Sequence, residues 1–479
     1  MRLRRVVSFA WFVPATFVVL VTSYIWRPYE IDDGLIYQRY IDNLVHGYGL
    51  VYNVGERFNG LTSPLFTWAA SATALAVGDA WFATKIVYAL ALVGACLLGG
   101  WVFAESRGEA AFTALILALT QYFYRCVGME TSLLLLLIAL SLLLARRNSD
   151  WVAPALALLI ATRSEGALLA ATLGIGWLVR NRRLPRPLPT AMTALLLAAP
   201  FAFNLLVFGS ALPQTVAAKL GQGRSGFWGP VNMLDLELVS EWTFDSSTVA
   251  AVFLLTMAAL GVFHLRRAWQ AVAALVFLGL LLAFYVAVNM PNYFWYYSPF
   301  VFLLLLFAAK GTWLTLTRTI SERRPATTVA GALVVVGLLL TLPKLWQFTA
   351  PEFPRAAGYT AAGRWIADHT PPGASVAAVE IGAVGWYSHR PIVDILGLTN
   401  DRNATYISRG DAFSWLLHYQ PDYILRNNPA WSFEVSTAAL EAAGAYRAVS
   451  GFPIEGLVLL ERVADPATVA RIGAENALR

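Results

Sequence analysis

LTSPLFTWAASATALAV, residues 61–77, is apolar enough to enter a membrane, and whether it crosses decides the topology of the chain. The other apolar stretches lie at 6–26, 81–104, 110–124, 130–145, 151–162, 165–180, 189–208, 247–264, 269–288, 295–317 and 327–346. Several reach the ~20 residues that cover a ~30 Å hydrocarbon core. If 61–77 spans, then Arg107, the pair Arg146-Arg147, Arg180 to Arg186 and Arg266-Arg267 all fall outside. That inverts the preference of basic residues for cytoplasmic loops. If it lies at the outer interface or re-enters, those clusters become cytoplasmic, together with Arg318, Arg323 and Arg324. The second arrangement predicts about 11 spans, with the N-terminus inside and the C-terminal region outside.

Composition agrees with a membrane protein. Of 479 residues, 58% are hydrophobic and 13% charged, with a mean hydropathy of +0.59. Soluble domains carry about 25% charged residues. Seventeen Trp and nineteen Tyr suit interfacial anchoring. The net charge of +6 is mostly arginine in predicted cytoplasmic loops, so it implies no nucleic-acid partner. MRLRR opens the chain like a signal peptide, but the apolar run after it is too long for an h-region and no small-residue cleavage site follows. It reads as a first span, with Arg2, Arg4 and Arg5 cytoplasmic. Cys96 and Cys126 give neither a disulfide framework nor metal-ligand spacing.

This topology gathers the remaining charges on the outer side. RPYEIDDGLIYQRY (27–40) brings Glu30, Asp32 and Asp33 to the end of the first span, where carboxylates do little to orient a helix. Tyr37, Tyr40, Ile41, Leu44 and Val45 then recur at helical spacing, predicting an amphipathic helix on the membrane that ends at HGYG (46–49). VYNVGERFNG, with Glu56 and Arg57, reads as a hairpin or tight loop. Arg125 and Glu130 flank a Gly-Met turn, which alone would only solvate a loop. Arg163 and Glu165 sit in TRSEG, the turn of a hairpin (151–180) with short arms. An arm of about 12 residues covers roughly 18 Å, so the turn is expected below the outer surface. There the pair either neutralises itself or meets a ligand. In GSALPQTVAAKLGQGR, Pro213 opens a short helix carrying Lys219, with Arg224 beyond and no P-loop spacing. NMPNYFWYYSPF (289–300) predicts an aromatic belt.

From about residue 351, Pro- and Gly-marked turns alternate with short β-branched runs. A helix near 357–369, a helix at DAFSWLLHY, a strand at PDYILRNN and a strand near 453–462 predict a small α/β domain. The expected division is therefore 1–350, a membrane domain with its first outer loop at 27–80, and 351–479, an extracytoplasmic domain. IGAVGWYS (381–388) follows a strand but lacks GxGxxG, and no HExxH or CxxC supports a zinc enzyme.

A carboxylate that takes a hydroxyl proton beside cations that neutralise a departing phosphate is the equipment for sugar transfer from a phospho-sugar. Outside the cell, where nucleotide sugars are normally absent, the phosphate must ride on a lipid.

EIDDGLIYQRYIDNLVHGYGLVYNVGERFNGLTSPLFT (30–67) resembles the first-loop signature of the GT-C class of polyprenyl-phosphate-sugar-dependent glycosyltransferases. Within the class it looks most like the arabinofuranosyltransferases of the AftB type. GMET (128–131), TRSEG (162–166, where relatives often have Arg-Pro-Glu-Gly), GSALPQTVAAK (209–219), IVDILGLTN (392–400) and QPDYIL (420–425) continue the likeness. The resemblance implies a polytopic α-helical GT-C-like protein in a bacterial cytoplasmic membrane. It implies an inverting transfer, arabinofuranose first among the sugars, from a polyprenyl-phosphate donor to a hydroxyl of an envelope glycan or surface protein. A hexose (mannosyl-type) transferase of the same class and a flippase for lipid-linked sugars are the alternatives. Asp32 or Asp33 would be the general base, with Glu30 a solvated bystander. Arg163, Lys219 and Arg125 would meet the donor phosphate, Glu165 would orient Arg163 or touch a hydroxyl, and Glu130 and Arg57 complete the expected substrate-binding set. Some members of the class use a divalent cation near the first-loop acid, which would place one at Asp32 and Asp33.

Overall fold

A computed structural model describes residues 10–211, 213–228, 233–234, 241, 246–322, 324–347, 349 and 354–477. Arg2, Arg4, Arg5, Arg323 and the start of the first expected span lie outside the described residues.

Eleven helices fall on the eleven expected spans. They are α1 (Val13–Ile25), α4 (Ala80–Val102), α5 (Arg107–Leu119), α6 (Thr131–Arg146), α7 (Val152–Thr162), α8 (Gly166–Asn181), α9 (Pro187–Phe208), α11 (Thr248–Leu265), α12 (Trp269–Ala287), α13 (Ser298–Glu322) and α14 (Pro325–Leu345). Six of them (α4, α9, α11, α12, α13 and α14) are long and apolar enough to cross a membrane by length and composition. The chain is a multi-pass membrane protein. The decisive stretch forms a separate shorter helix, α3 (Pro64–Val77). Ser63 caps it by accepting the Phe66 amide, Pro64 occupies its first turn, and Gly78 closes it at φ +77°. The bundle is drawn tight where α11 crosses α13. A Cβ on Gly261 would overlap the Phe307 carbonyl, and one on Gly311 the Met257 carbonyl, so the two backbones touch.

The first loop carries α2 (Asp32–Val45), whose opening turn holds two carboxylates at the favourable end of the helix dipole. The predicted membrane-lying face is a correction. Leu35, Ile36, Tyr37, Tyr40 and Ile41 are buried, because α2 packs between α3 and α4 on one side and α16 (Ile381–Ser388) on the other. The helix is a spacer between the bundle and the C-terminal domain.

That domain begins with α15 (Pro354–His369) and carries a five-stranded sheet. Its strands are β1 (Val376–Ala378), β2 (Ile392–Asp394), β3 (Tyr423–Asn427), β4 (Tyr446–Ala448) and β5 (Leu457–Arg462), in the order β2-β1-β3-β5-β4. β1 pairs parallel with β2 and β3, whereas β5 runs antiparallel to both β3 and β4. Helix α16 leaves β1 directly. The helix expected at DAFSWLLHY reduces to a single 3-10 turn, Ser414–Leu417, where Asp411 bonds the Phe413 and Ser414 amides and stops propagation.

Helix α2 and the loop after it tie the two parts together. Arg39 donates to the carbonyls of Tyr52 (2.8 Å) and Arg390 (2.7 Å), and also to that of Gly385. Asn53 exchanges two bonds with the backbone of Ile392, at 2.9 and 3.0 Å. Tyr52 donates to the Ile381 carbonyl at 2.7 Å.

Candidate functional site

Between the bundle and the C-terminal domain lies a cavity of about 600 Å³, within the range of ligand sites. Its floor is the start of α2, with Asp32 and Asp33. One wall is α10 (Gln214–Arg224), bearing Lys219. Another wall comes from the C-terminal domain, through Arg355, Glu380 and Trp431. The predicted aromatic segment supplies the third side, where Tyr293 and Trp295 stack at 4.6 Å with planes 4° apart.

The two aspartates are adjacent in sequence and different in environment. Asp32 bonds the amides of Gly382 (2.8 Å) and Ala383 (2.7 Å), so its carboxylate caps the N-terminus of α16. Burial, together with the nearby charge of Glu380, pushes it above the ordinary carboxylate range, and the two amides pull the other way. Asp33 lines the cavity, and its carboxylate has no hydrogen-bond or ion-pair partner among the described residues. Helix geometry separates the two: successive side chains lie about 100° apart, so both border the cavity but only the first carboxylate reaches the amides of α16.

Glu30 also differs from its expected part as a solvated bystander. Trp81 Nε1 and Tyr387 Oη each donate to it at 2.6 Å, which pins the loop to α4 and α16. Lys219 reaches the cavity with its ammonium 5.0 Å above the Tyr293 ring. Arg355 pairs with Glu380 at 2.8 Å and lies 4.1 Å above the Trp431 ring. Burial raises Glu380, with Arg355 lowering it and Asp33 raising it further.

The remaining candidates lie elsewhere. Arg163 donates to Glu130 at 2.8 Å and to Glu165 at 2.7 Å, under the Tyr296 ring. The Arg163 side chain is 11% exposed and Glu130 1%, so the guanidinium is already occupied by two carboxylates. Arg125 sits beside this cluster in sequence, half-buried, with Nε lacking a hydrogen bond among the described residues. Arg57 is exposed on the first loop, and none of these five residues lines the cavity. Arg355 and Glu380 escaped the sequence reading. The signal was faint: each is a single charge in a Gly- and Ala-rich segment, placed by tertiary docking alone.

The carboxylates do not fit a resident divalent cation. Both oxygens of Asp32 accept amides, Glu380 is paired with Arg355, and no group of three His, Cys, Asp or Glu among the described residues is arranged to hold a metal.

An apolar bundle, a membrane-proximal first loop and an appended sheet domain enclosing a cavity between them make up a GT-C-like fold. The solved structure of ArnT from Cupriavidus metallidurans bound to undecaprenyl phosphate superposes with a TM-score of 0.58 at 14% identity, over 96% of this chain and 99% of that one. ArnT in the apo state gives 0.58 at 13% identity, over 97% and 99%. AftD, an arabinofuranosyltransferase from Mycobacteria, aligns over 96% of this chain and 40% of its own length, with a TM-score of 0.49 and 16% identity. Residues 347–470 match the family described as Domain of unknown function (DUF8728). No curated protein matches the chain.

Proposed function

We propose that the protein is an inverting glycosyltransferase that moves a sugar from a polyprenyl-phosphate donor to a hydroxyl of an envelope glycan or surface protein. The observation that carries the reading is the Asp33 carboxylate, unpaired among the described residues, in one cavity with Lys219 and Arg355. Asp33 takes the proton from the acceptor hydroxyl. That oxygen forms the new bond to the anomeric carbon from the face opposite the phosphate. The carbon–oxygen bond to the phosphate breaks, and the lipid phosphate leaves with the electron pair. Lys219 and Arg355, which line the same cavity, meet the charge that develops on the leaving group. The aromatic walls suit the flat faces of a sugar and an isoprenoid chain. ArnT is seen with undecaprenyl phosphate, which supports a donor of that lipid class for this fold.

Asp32 is assigned here as the positioning residue. Arg163, Glu130 and Glu165 form the support behind Asp33, and Arg125 and Arg57 are left without a part in transfer. The sugar is read as arabinofuranose on the first-loop resemblance, ahead of a hexose. The membrane is taken as a bacterial cytoplasmic membrane, with the N-terminus inside and the cavity outside. The boundary between membrane and outer domains is placed near residue 350. The arginine clusters at the far ends of α6 and α8 support that orientation.

The test is transfer by purified protein from a panel of polyprenyl-phosphate-linked sugars. Arabinofuranose should be used best, and Asp33→Asn should lower transfer by roughly 10²–10⁴. Full activity in Asp33→Asn overturns the assignment of the base. Lipid flipping without any sugar transfer in the wild type overturns the enzyme.

A further inference from the structure

At the opposite end of the bundle from the cavity, α8 and α12 leave a side-facing groove of about 860 Å³ between them. The two helices are antiparallel. Helix α8 starts beside Glu165, near the cavity, and by Arg180 has run roughly 21 Å away from it. Helix α12 begins at that far end with Trp269, whose ring lies against Gly176, so that any side chain there would collide with it. The groove is apolar along its length: Ile175 is 62% exposed, Val276 47% and Leu280 43%. Its far end is different. Arg180 and Arg267 both line it and are exposed, and neither has a hydrogen-bond or ion-pair partner among the described residues. Three neighbouring basic residues are engaged, whereas Arg182 is exposed without a side-chain partner among the described residues. Arg183 and Arg186 hold Asp150 at 2.7 and 3.6 Å, and Arg266 donates to the Phe263 carbonyl at 2.6 Å.

We propose that this groove is a binding site for an anionic phospholipid, distinct from the donor site, with the headgroup phosphate between Arg180 and Arg267 and an acyl chain along Ile175, Val276 and Leu280. Three features select that occupant. An exposed apolar channel in a membrane bundle takes hydrocarbon. Two unpaired guanidinium groups at its mouth demand an anion, and their planar forks match phosphate oxygens. Trp269 marks the interfacial depth at which a headgroup lies. Basic pockets between spans are a general means of holding acidic headgroups. A zwitterionic lipid would satisfy the groove but leave the charge uncompensated.

The measurement is native mass spectrometry of the full chain in detergent, delipidated and then offered dioleoyl-phosphatidylglycerol or dioleoyl-phosphatidylcholine at equal concentration. The wild type should retain one phosphatidylglycerol in preference to phosphatidylcholine. R180Q/R267Q should weaken that retention about thirtyfold, and R266Q should leave it unchanged. Val276→Trp, which fills the groove and alters no charge, should weaken it as well. R180K/R267K keeps the charge and should retain the lipid, which separates loss of binding from loss of folding. Equal retention of the two lipids by the wild type overturns the site. So does undiminished phosphatidylglycerol on R180Q/R267Q or on Val276→Trp. A dimer that dissociates on Val276→Trp without any lipid effect assigns the groove to a second copy of the chain.

Discussion

Asp32 and Gly382 lie 350 residues apart in sequence, and the carboxylate of the first accepts the backbone amide of the second at 2.8 Å. The neighbouring Ala383 amide donates to the other oxygen at 2.7 Å. A Cβ on Gly382 would overlap the Asp32 carbonyl, so the approach requires glycine there. Through this clamp the acidic loop holds the wall that carries Glu380. Asp32→Asn turns one acceptor into a donor facing an amide. It should cost about 1–3 kcal/mol of stability, the penalty of a buried unmatched polar contact. Thermal unfolding in detergent should show the loss for Asp32→Asn and not for Asp33→Asn, while transfer activity falls further in the second. Gly382→Ala should be worse for folding than Asp32→Asn.

Arg163 is expected to behave as a neutralising centre. Arg163→Gln leaves Glu130 and Glu165 facing each other in a buried site, at a cost of about 3–5 kcal/mol. Expression and melting temperature should fall sharply. The triple variant Arg163→Gln, Glu130→Gln, Glu165→Gln removes all the charges and should recover much of the stability. A stable Arg163→Gln protein with weakened donor binding would instead show that Arg163 meets the phosphate.

Among the described residues, Arg355 and Lys219 are the two cations that line the cavity. Removal of either should raise KM for the lipid donor. A lost charge-assisted contact of about 1.5–3 kcal/mol corresponds to roughly ten- to hundred-fold. Arg355→Gln also strands Glu380, so its activity should recover in part in the double variant with Glu380→Gln. Lys219→Gln should show no such rescue. Steady-state kinetics with varied donor decide both.

Asp394 gives the C-terminal domain a pH dependence. It is fully buried at the end of β2, where burial outweighs its bonds to Leu396, Gly397 and Thr399 and raises the carboxyl from 3.8 to about 6. The folded state therefore binds the proton more tightly than the unfolded chain. The associated stability is fully present below about pH 4, falls as pH rises to about 6, and is absent above it, a total of about 3 kcal/mol. Melting temperature followed from pH 4 to 7 should decline over that interval, and Asp394→Asn should flatten the decline.

Much of this arrangement was legible in the sequence because its determinants are local. Runs of apolar residues fixed the eleven bundle helices. Short β-branched runs between Pro- and Gly-marked turns pointed to β3 and β5. The acidic cluster was recognisable as a candidate site because carboxylates do little to orient a span end. Its internal division was not. Asp32 and Asp33 are chemically identical and adjacent, and only the docking of α16 makes one a cap and leaves the other open to the cavity. The same docking buried α2, whose sequence alone reads as membrane-lying. Arg39, with three backbone carbonyls from two regions of the chain, carried no motif at all.

The docking of the last domain onto the first loop also sets an order of events during synthesis. Asp32 and Asp33 leave the ribosome early, and Arg355 and Glu380 only after the bundle is complete. Until β1 and α16 fold against α2, the floor of the cavity has no facing wall, and water fills the space where a donor would sit. A chain clipped before α15 would lack Arg355, Glu380 and Trp431, and with them the wall that encloses the cavity. The last quarter of the polypeptide thus completes the chamber that the first loop begins.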